Sequence, residues 1–536
     1  MSAATTPTAM DATLGDLLTR VTALGVDRPA ITLDDHTLTF GELDRTADRV
    51  AHALAAAGLV PGDRLAVLLR NVPQFYALLF GAARAGVVLV ALNWRLAPPE
   101  VAAILDDADP RLLVVGKGQL GLVPDDPKRA LVVLEDDFAA WVAEQPAEQP
   151  PSYAPSPDDV VLQLYSSGTT GRPKGARLTH ANLAWTPRMG REFYAMGPDS
   201  VNLVPSPLFH IGGVGYGLTA LGQGGHTVLL SDLTPAHLLA QIERHRVTHA
   251  FAVPAVIAGM LAAPELGHTD LSSLQRIAYG GAPMTEALLR RAIDGLGCGF
   301  MAVYGMTETA GTVVSLAPEE HDPDGPRAHL LRSVGRPLPW LEVDVADPLT
   351  GEPVAPGAVG EIRVRSGQNT VGYWRLPEET ASALTPDGWL RTGDAAWRDE
   401  DGYLYLHDRI KDLIISGGEN IYPAEVENAL AANPDVADVA VIGVPSPRWG
   451  ETPKAVVVPA PGATIDPDAL LADVRTRLAR YKCPTSIEVV DALPRNASGK
   501  VLRRELRAAY RTGSTGDDLG RAERRGMTWG ERSNGE

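Results

Sequence analysis

Short apolar segments alternate with helical patterns along much of the chain, and this alternation constrains the fold more than any other feature. Apolar runs occur at residues 65–69, 112–115, 130–134, 160–164 and 227–230. Each has the length of a buried strand rather than of a helix. Helical patterns lie between several of them, as at residues 235–246. Strands that alternate with helices are typical of α/β proteins, so we predict largely parallel sheets covered by helices.

The chain is long enough for more than one domain. It has 536 residues, more than a single hydrophobic core usually supports. After residue 408, strand and helix patterns predict a separate small α+β domain, and residues 513–536 are polar, glycine-rich and nearly without aliphatic side chains. We therefore expect an N-terminal domain at 1–408, a C-terminal domain at 409–512 and a mobile tail at 513–536.

Composition excludes some classes of protein. The formal net charge of -18 argues against sequence-independent nucleic-acid binding, which needs clustered positive charge. Only Cys298 and Cys483 are present, without a disulfide framework or a metal-binding spacing. Arg84 interrupts the apolar stretch 75–92, which predicts a helix followed by a strand rather than a membrane span. Since no signal peptide is found either, we expect a cytoplasmic protein without an integral membrane segment.

The densest chemical signal is a loop rich in glycine and hydroxyl residues that follows the predicted strand 160–164. Glycine lets backbone N–H groups approach phosphate oxygens, hydroxyls can donate to those oxygens, and a lysine neutralises their charge. The loop is not a Walker A motif, because Pro173 precedes its lysine and Gly175 follows it. A flexible glycine–serine turn is the alternative interpretation. The candidate phosphate-binding residues are Ser166, Ser167, Gly168, Thr169, Thr170, Gly171 and Lys174.

With several ordered motifs further along the chain, this loop resembles the adenylate-forming superfamily of acyl-CoA synthetases, nonribosomal-peptide adenylation domains and luciferases. The resemblance extends from about Leu33 to Leu506 and points to the branch of fatty-acid and aromatic-acid CoA ligases. It implies stacked, largely parallel sheets with a small barrel-like β subdomain in the N-terminal domain, and a mobile α+β lid at the C-terminus. It also implies ATP, Mg²⁺ and coenzyme A as reaction components.

A second motif, Tyr304-Gly305-Met306-Thr307-Glu308, carries residue types that suit a nucleotide with its metal ion. A Mg²⁺ that bridges ATP phosphates needs a hard carboxylate ligand, which Glu308 can supply, and the Thr307 hydroxyl can reach the α-phosphate. In isolation, the Thr-Glu pair would indicate a helix cap. By resemblance, Tyr304 and Gly305 belong to the same nucleotide site.

Two further segments resemble the parts of the superfamily that bind the nucleoside. The segment Gly280-Gly281-Ala282-Pro283 resembles the backbone that lines the adenine slot, although a tight turn before a helix near residue 285 is compatible with it. Asp394 stands where the superfamily has an aspartate that accepts hydrogen bonds from both ribose hydroxyls. Without the resemblance, residues 391–394 would be interpreted as a solvated acidic turn.

The remaining motifs lie in the predicted C-terminal domain. By resemblance, Arg409 contacts the ribose, Lys411 is the hinge of the lid, and Gly418 leaves room for the pantetheine arm of coenzyme A. Lys500 matches the lysine of the adenylation step, where a positioned cation stabilises charge that develops at the α-phosphorus. Local sequence alone would indicate that Arg409 and Lys411 belong to a charged linker. It would likewise indicate a hairpin turn at Gly418 and a solvated surface lysine at position 500.

The acyl pocket is predicted from fewer residues. His210 occupies the position at which amino-acid-activating relatives usually carry an aspartate for the substrate ammonium, so an α-amino acid substrate is disfavoured. A packed core histidine is the alternative interpretation. The further candidates, which line the same cavity or belong to the core, are Trp185, Tyr279, Val303 and Met306. No feature indicates the chain length or aromaticity of the acid.

These observations predict an acid–CoA ligase. It would convert a small-molecule carboxylic acid and ATP into an acyl-adenylate and pyrophosphate, and then form a thioester with coenzyme A. One alternative is a stand-alone adenylating enzyme that delivers the acyl group to a carrier protein or another nucleophile. Another is a non-catalytic nucleotide-binding member. The sequence predicts no oligomeric state.

Overall fold

A computed structural model describes residues 13–125, 129–147, 153–166, 173–282, 284–409, 414–416, 419–421, 423–446, 449–478, 480, 482–495 and 501–511. Within these ranges the strands form four sheets. Two are mainly parallel and are covered by helices, as the alternation of strand and helix patterns predicts. The helices are α1 (Leu14–Thr22), α2 (Phe40–Ala56), α3 (Gln74–Ala85), α4 (Pro98–Ala108), α5 (Phe138–Ala143), α6 (His180–Leu183), α7 (Trp185–Arg188), α8 (Ile211–Leu221), α9 (Pro235–His245), α10 (Pro254–Ala262), α11 (Glu286–Leu296), α12 (Pro377–Ala383), α13 (Pro423–Ala431), α14 (Pro467–Arg477) and α15 (Arg503–Arg511).

The first sheet has a parallel centre and antiparallel edges. Its strands are β1 (Pro29–Leu33), β2 (His36–Thr39), β9 (Val201–Val204), β10 (His226–Leu229), β11 (His249–Ala252), β12 (Arg276–Gly280), β13 (Gly299–Met306), β14 (Gly311–Leu316) and β15 (Arg336–Pro337). They lie in the order β15-β14-β13-β12-β11-β9-β10-β1-β2. β12 and β13 are parallel neighbours, so the residues that follow both strands emerge at the same edge of the sheet.

The second sheet is parallel except for one terminal hairpin. Its strands are β3 (Arg64–Leu68), β4 (Val88–Ala91), β5 (Leu112–Val115), β6 (Ala130–Val133), β7 (Val160–Ser166) and β8 (Lys174–Thr179), in the order β6-β5-β3-β4-β7-β8. The strands predicted at 65–69, 112–115, 130–134, 160–164 and 227–230 are confirmed with small shifts at their ends, the largest being the extension of β7 to Ser166. Its last pair, β7 and β8, is the antiparallel hairpin that carries the candidate phosphate loop.

A continuous hydrophobic core joins these two sheets. It contains side chains of α2, α3 and α8 together with residues of β3 and β9. Helix α2 begins at a capping box between Thr39 and Glu42, and α3 ends at Gly86, whose φ of 70° is the left-handed conformation that glycine adopts readily.

Arg84, the charged residue within the apolar stretch 75–92, lies at the α2–α3 contact. Its side chain is 4% exposed and pairs with Asp48 at 2.7 Å and with Asp44 at 2.5 Å. Burial of a paired arginine between two helices therefore explains the charge in an otherwise apolar segment. None of the described helices has both the length and the apolar character needed to cross a membrane.

The third sheet is small and antiparallel throughout. It contains β16 (Glu342–Ala346), β17 (Gly360–Arg365), β18 (Leu390–Arg398) and β19 (Leu404–Arg409). Its apolar face packs on Tyr304 of β13 and on Val313 and Val314 of β14. This contact brings the sheet against the edge of the first sheet where β13 ends.

The fourth sheet belongs to the C-terminal part of the chain. It consists of β20 (Ile414–Ser416), β21 (Glu419–Ile421), β22 (Val436–Ser446), β23 (Gly450–Pro459) and β24 (Ser486–Val489), and it packs with α13 and α14 around a core of its own. The predicted α/β class with a small β subdomain and an α+β C-terminal part is confirmed. The domain limits 1–408 and 409–512 stay a prediction, and residues 513–536 lie outside the described ranges.

Candidate functional site

The candidate phosphate loop connects the two strands of the β7–β8 hairpin. Ser166 pairs with Lys174 at the base of the loop, and Tyr165 pairs with Gly175. A Cβ atom at Gly175 would lie 2.6 Å from Nε2 of Gln163, so the base of the loop is closely packed. The Tyr165 hydroxyl donates to Oδ2 of Asp107 at 2.5 Å. These contacts hold the base of the loop in a defined position at the end of β7.

Lys174 and Glu308 meet at the ring of Tyr373. The Lys174 ammonium lies 5.3 Å from the centroid of that ring, and the Tyr373 hydroxyl donates to Oε1 of Glu308 at 3.0 Å. Glu308 is only 5% exposed and lies in a short 3₁₀ turn, Thr307–Thr309, that directly follows β13. The base of the phosphate loop and the carboxylate of the second motif therefore lie side by side.

Asp394 lies beside Tyr304 of β13. The Tyr304 hydroxyl donates to Oδ2 of Asp394 at 2.8 Å across 90 residues of sequence. Residues 391–394 belong to β18 rather than to the solvated acidic turn that local sequence suggests. The backbone N–H of Gly393 donates to Oε1 of Glu361 at 3.0 Å, and that of Asp394 to Oγ1 of Thr392 at 3.1 Å. These bonds fix the backbone that presents the Asp394 carboxylate.

The glycine turn after β12 lies directly against β13. Gly280 pairs with Val303, and a Cβ atom at Gly280 would lie 2.2 Å from the Val303 carbonyl oxygen. Gly281 has a φ of 75°, so the turn uses the left-handed conformation that glycine allows. A Cβ atom at Gly305 would likewise lie 1.9 Å from the Gly311 carbonyl oxygen. Both glycines permit close approach of backbone segments at the edge where Tyr304 and Glu308 are found.

His210 precedes α8 and carries a neutral side chain at physiological pH. Burial, with a smaller contribution from the nearby Arg95 guanidinium, lowers the pKa of His210 to about 4. Its ring lies 4.5 Å from that of Phe209, and its buried Nε2 has no hydrogen-bond partner among the described residues. The second turn of α8 approaches Ala310, which follows the Thr307–Thr309 turn. A Cβ atom at Gly215 would lie 3.9 Å from the Ala310 carbonyl oxygen.

Comparison with protein families identifies this arrangement. The family described as AMP-binding enzyme matches residues 18–374, and its C-terminal domain matches residues 425–500. The chain belongs to the AMP-binding enzyme family. This assignment confirms the predicted class, an adenylate-forming acid ligase.

Individual relatives of this AMP-binding enzyme match it over nearly its whole length. A fatty acid–[acyl-carrier-protein] ligase, ScoC of Streptomyces coeruleorubidus, is 42% identical and covers 90% of this chain and 93% of its own. A feruloyl-CoA synthase of an Amycolatopsis species is 44% identical and covers 88% of this chain and 94% of its own. The structure of ATP-bound MatB from Rhodopseudomonas palustris superposes with a TM-score of 0.84 at 32% identity, covering 92% of this chain and 99% of MatB.

In this AMP-binding enzyme the structure brings together most of the predicted N-terminal residues that it describes. Lys174 and Glu308 both contact Tyr373, Asp394 accepts from Tyr304, and Gly280 pairs with Val303 where β12 and β13 end. For Ser166 and Arg409 only the backbone is described, and Arg409 pairs with Asp394. The predicted site residues outside the described ranges are Ser167, Gly168, Thr169, Thr170, Gly171, Pro283, Lys411, Gly418 and Lys500.

Sequence reasoning missed Tyr373 and Glu361, which contact the predicted residues in the AMP-binding enzyme. Tyr373 joins Lys174 to Glu308, and Glu361 accepts from the backbone of Gly393. Neither lies in a glycine-rich or charged motif that would attract attention. The only local signal is that Tyr373 follows a glycine, Gly372, with a φ of 114°.

Proposed function

We propose that the enzyme activates a carboxylic acid with ATP and then transfers the acyl group to the thiol of coenzyme A. The observation that carries this proposal is the convergence of Lys174, Glu308, Tyr304 and Asp394 at one edge of the two parallel sheets. In open α/β sheets, ligands bind where parallel strands end. A nucleoside triphosphate would suit such an edge. The phosphate-loop lysine and the buried glutamate would face its phosphates and metal ion, and the aspartate would bind its ribose.

The proposed nucleotide contacts are those that the resemblance to the adenylate-forming superfamily implies. Asp394 and Arg409 would hold the ribose, and Gly280 to Pro283 with Tyr304 and Gly305 would line the adenine slot. The triphosphate would lie against Ser166 to Gly171, Lys174 and Thr307. The lack of a Cβ atom at Gly280, where one would lie 2.2 Å from the Val303 oxygen, allows β12 to lie close to β13 at this edge.

Glu308 fits the part of a Mg²⁺ ligand. Mg²⁺ is usually held in such enzymes by one or two carboxylates together with substrate phosphates, and Glu308 offers a buried carboxylate held in place beside Lys174. When bound with ATP, the ion would supply charge compensation at the phosphates.

The first half-reaction would form the acyl-adenylate. A carboxylate oxygen of the acid attacks the α-phosphorus in line, the bond from that phosphorus to the bridging oxygen breaks, and pyrophosphate leaves. Lys500 and Lys174 would compensate the negative charge in the transition state, and Thr307 would donate to the α-phosphate.

In the second half-reaction, a rotation of the lid about Lys411 would withdraw Lys500 and open a path beside Gly418. The thiolate sulfur of coenzyme A then attacks the activated carbonyl carbon, and AMP leaves with the electron pair of the carbon–oxygen bond.

The acid is proposed to carry no α-ammonium group. The neutral imidazole of His210 offers no negative charge for an ammonium, and Val303 and Met306 are the other proposed pocket residues. The relatives named above support this choice, since a fatty acid and ferulic acid both lack an amino group.

Replacement of Lys500 tests the division of the reaction into two half-reactions. Lys500→Ala is expected to abolish acyl-adenylate formation, measured by acid-dependent ATP–pyrophosphate exchange, because the transition-state charge loses its cation. Thioester formation from a supplied acyl-adenylate is expected to continue near the rate of the unchanged enzyme. Equal losses in both half-reactions would show that Lys500 does not serve adenylation alone.

A carrier protein is the second candidate acceptor, and the 42% identity with a fatty acid–[acyl-carrier-protein] ligase favours considering it. A panel of aliphatic and aromatic acids distinguishes the two acceptors. Each acid is assayed for pyrophosphate release with coenzyme A, with a phosphopantetheinylated carrier protein and without acceptor. Faster thioester formation on the carrier protein would assign the acceptor to that class.

A non-catalytic member is disfavoured, because Glu308, Asp394 and Lys500 are all present. The absence of pyrophosphate exchange with every acid in the panel would reverse this conclusion.

A further inference from the structure

The segment 370–374 forms hydrogen bonds both to β8, the strand that carries Lys174, and to the turn that carries Glu308. The backbone N–H of Thr370 donates to the Glu308 carbonyl oxygen at 2.7 Å, and its hydroxyl donates to the Arg177 carbonyl oxygen of β8 at 2.6 Å. At the other end of the segment, the N–H of Trp374 donates to the Gly175 carbonyl oxygen at 2.8 Å. The segment therefore bonds both to the backbone of Glu308 and to that of β8.

The backbone of Tyr373 is held on both sides. Its N–H donates to Oγ1 of Thr380 at 2.9 Å, and the residue forms a bridge with Ala176 of β8. Gly372, directly before it, has a φ of 114°, and a Cβ atom there would lie 2.4 Å from Cγ2 of Thr380. Only glycine fits this turn, so the direction of the Tyr373 side chain is determined by the local fold.

Glu308 and Lys174 are both neighbours of the Tyr373 side chain. Its hydroxyl donates to Oε1 of Glu308 at 3.0 Å, and the Lys174 ammonium lies over its ring, 5.3 Å from the centroid. A carboxylate without such a donor can rotate about its last side-chain bond, which has a broad torsional profile. An ammonium over an aromatic face is attracted by the ring quadrupole. One side chain thus restricts the positions of both charged groups.

We propose that Tyr373 is a positioning residue for adenylation, which orients the Glu308 carboxylate toward the metal ion of MgATP and holds Lys174 beside it. This inference rests on the proposed function, because it takes Glu308 and Lys174 to be the groups that meet MgATP. Tyr373 acts through these two residues and is assigned no contact with the reacting atoms.

Tyr373→Phe keeps the ring and removes the hydroxyl donor. The Mg²⁺ concentration for half-maximal ATP–pyrophosphate exchange is expected to rise about tenfold, the usual effect of losing a hydrogen bond to a charged group. The rate of thioester formation from a supplied acyl-adenylate is expected to stay unchanged. Tyr373→Leu also removes the ring, and a rise in the KM for ATP is expected in addition.

Tyr405→Phe is the matched control. Its hydroxyl also donates to a carboxylate, Oδ2 of Asp399 at 3.1 Å, and neither residue is among the predicted site residues. This variant is expected to keep the Mg²⁺ dependence of the unchanged enzyme. A Mg²⁺ dependence in Tyr373→Phe equal to that of the control would overturn the proposal, and so would an equal loss in both half-reactions, which a purely structural role would produce.

Calorimetric titration of MgATP separates this proposal from the proposed function, because it needs neither the acid nor the acceptor. If the enzyme exchanges no pyrophosphate with any acid but Tyr373→Phe binds MgATP more weakly, Tyr373 positions groups that bind MgATP and the ligase activity is rejected. Unchanged MgATP affinity in Tyr373→Phe, in an enzyme that does activate acids, would reject the positioning role alone.

Discussion

Removal of the Tyr304 hydroxyl tests whether Asp394 binds the nucleotide. The hydroxyl donates to Oδ2 of Asp394 at 2.8 Å, and Tyr304 is 8% exposed. Hydrogen bonds to charged groups contribute about 1.5–3 kcal/mol. Because Asp394 has other interactions as well, we take the lower limit of about 1.5 kcal/mol, which corresponds to about a tenfold change in an equilibrium constant.

The expected result for Tyr304→Phe is a KM for ATP about tenfold higher in ATP–pyrophosphate exchange. The kcat is expected to change little, because the lost bond orients a ribose ligand rather than a group at the phosphorus. In a double-mutant cycle, the same substitution in an Asp394→Asn background is expected to have a much smaller effect, since the two residues act through one interaction. Tyr194→Phe, which removes a bond of 2.9 Å to the buried Thr312 hydroxyl, is a control of similar burial.

Three results would refute this reasoning. A KM for ATP unchanged in Tyr304→Phe would show that the Tyr304–Asp394 bond does not orient a nucleotide ligand. Additive effects of the two substitutions would show that they act at separate places, and a KM increase as large in Tyr194→Phe would indicate general loosening of the sheet.

Two other predictions concern close packing and pH. Gly280→Ala places a methyl group 2.2 Å from the Val303 oxygen in an ideal geometry, so β12 and β13 must shift at a cost of about 1–3 kcal/mol. Calorimetry is expected to show weaker ATP binding by this variant. An unchanged affinity for ATP would contradict the assignment of Gly280 to the adenine slot. His180 accepts from the N–H of Leu14 at 3.1 Å, and burial lowers its pKa from 6.5 to about 4. The unfolded chain therefore binds a proton that the folded chain does not as pH falls below 6.5, and stability decreases with falling pH. Between about pH 7 and pH 5, the free energy of unfolding of the unchanged enzyme is expected to fall by about 2 kcal/mol more than that of His180→Gln, which cannot titrate at this position. Urea titrations measure both values. An equal fall in the two proteins would contradict this prediction.

Several parts of the fold and site are determined locally and could be predicted from the sequence. Apolar runs bounded by turn residues predict β5 at Leu112–Val115 and β6 at Ala130–Val133 almost to the residue. Continuous burial accounts for the apolar run of β5, whereas β6, at the edge of the sheet, is partly exposed. The phosphate loop is predicted because glycine and hydroxyl residues and a lysine occur together over a few positions. The role of the 304–308 motif is implied by its resemblance to the superfamily and not by those five residues alone.

Other features were decided only by the tertiary structure. Tyr373 is 65 residues from Glu308, and Asp394 is 90 residues from Tyr304. Whether Asp394 is a solvated turn residue or the partner of a buried tyrosine depends on how the third sheet packs against β13. Hydrophobic periodicity reports which face of an element is buried, but it does not specify which distant side chain will lie against that face. These partners are set by the packing of sheets and segments that are far apart in the chain.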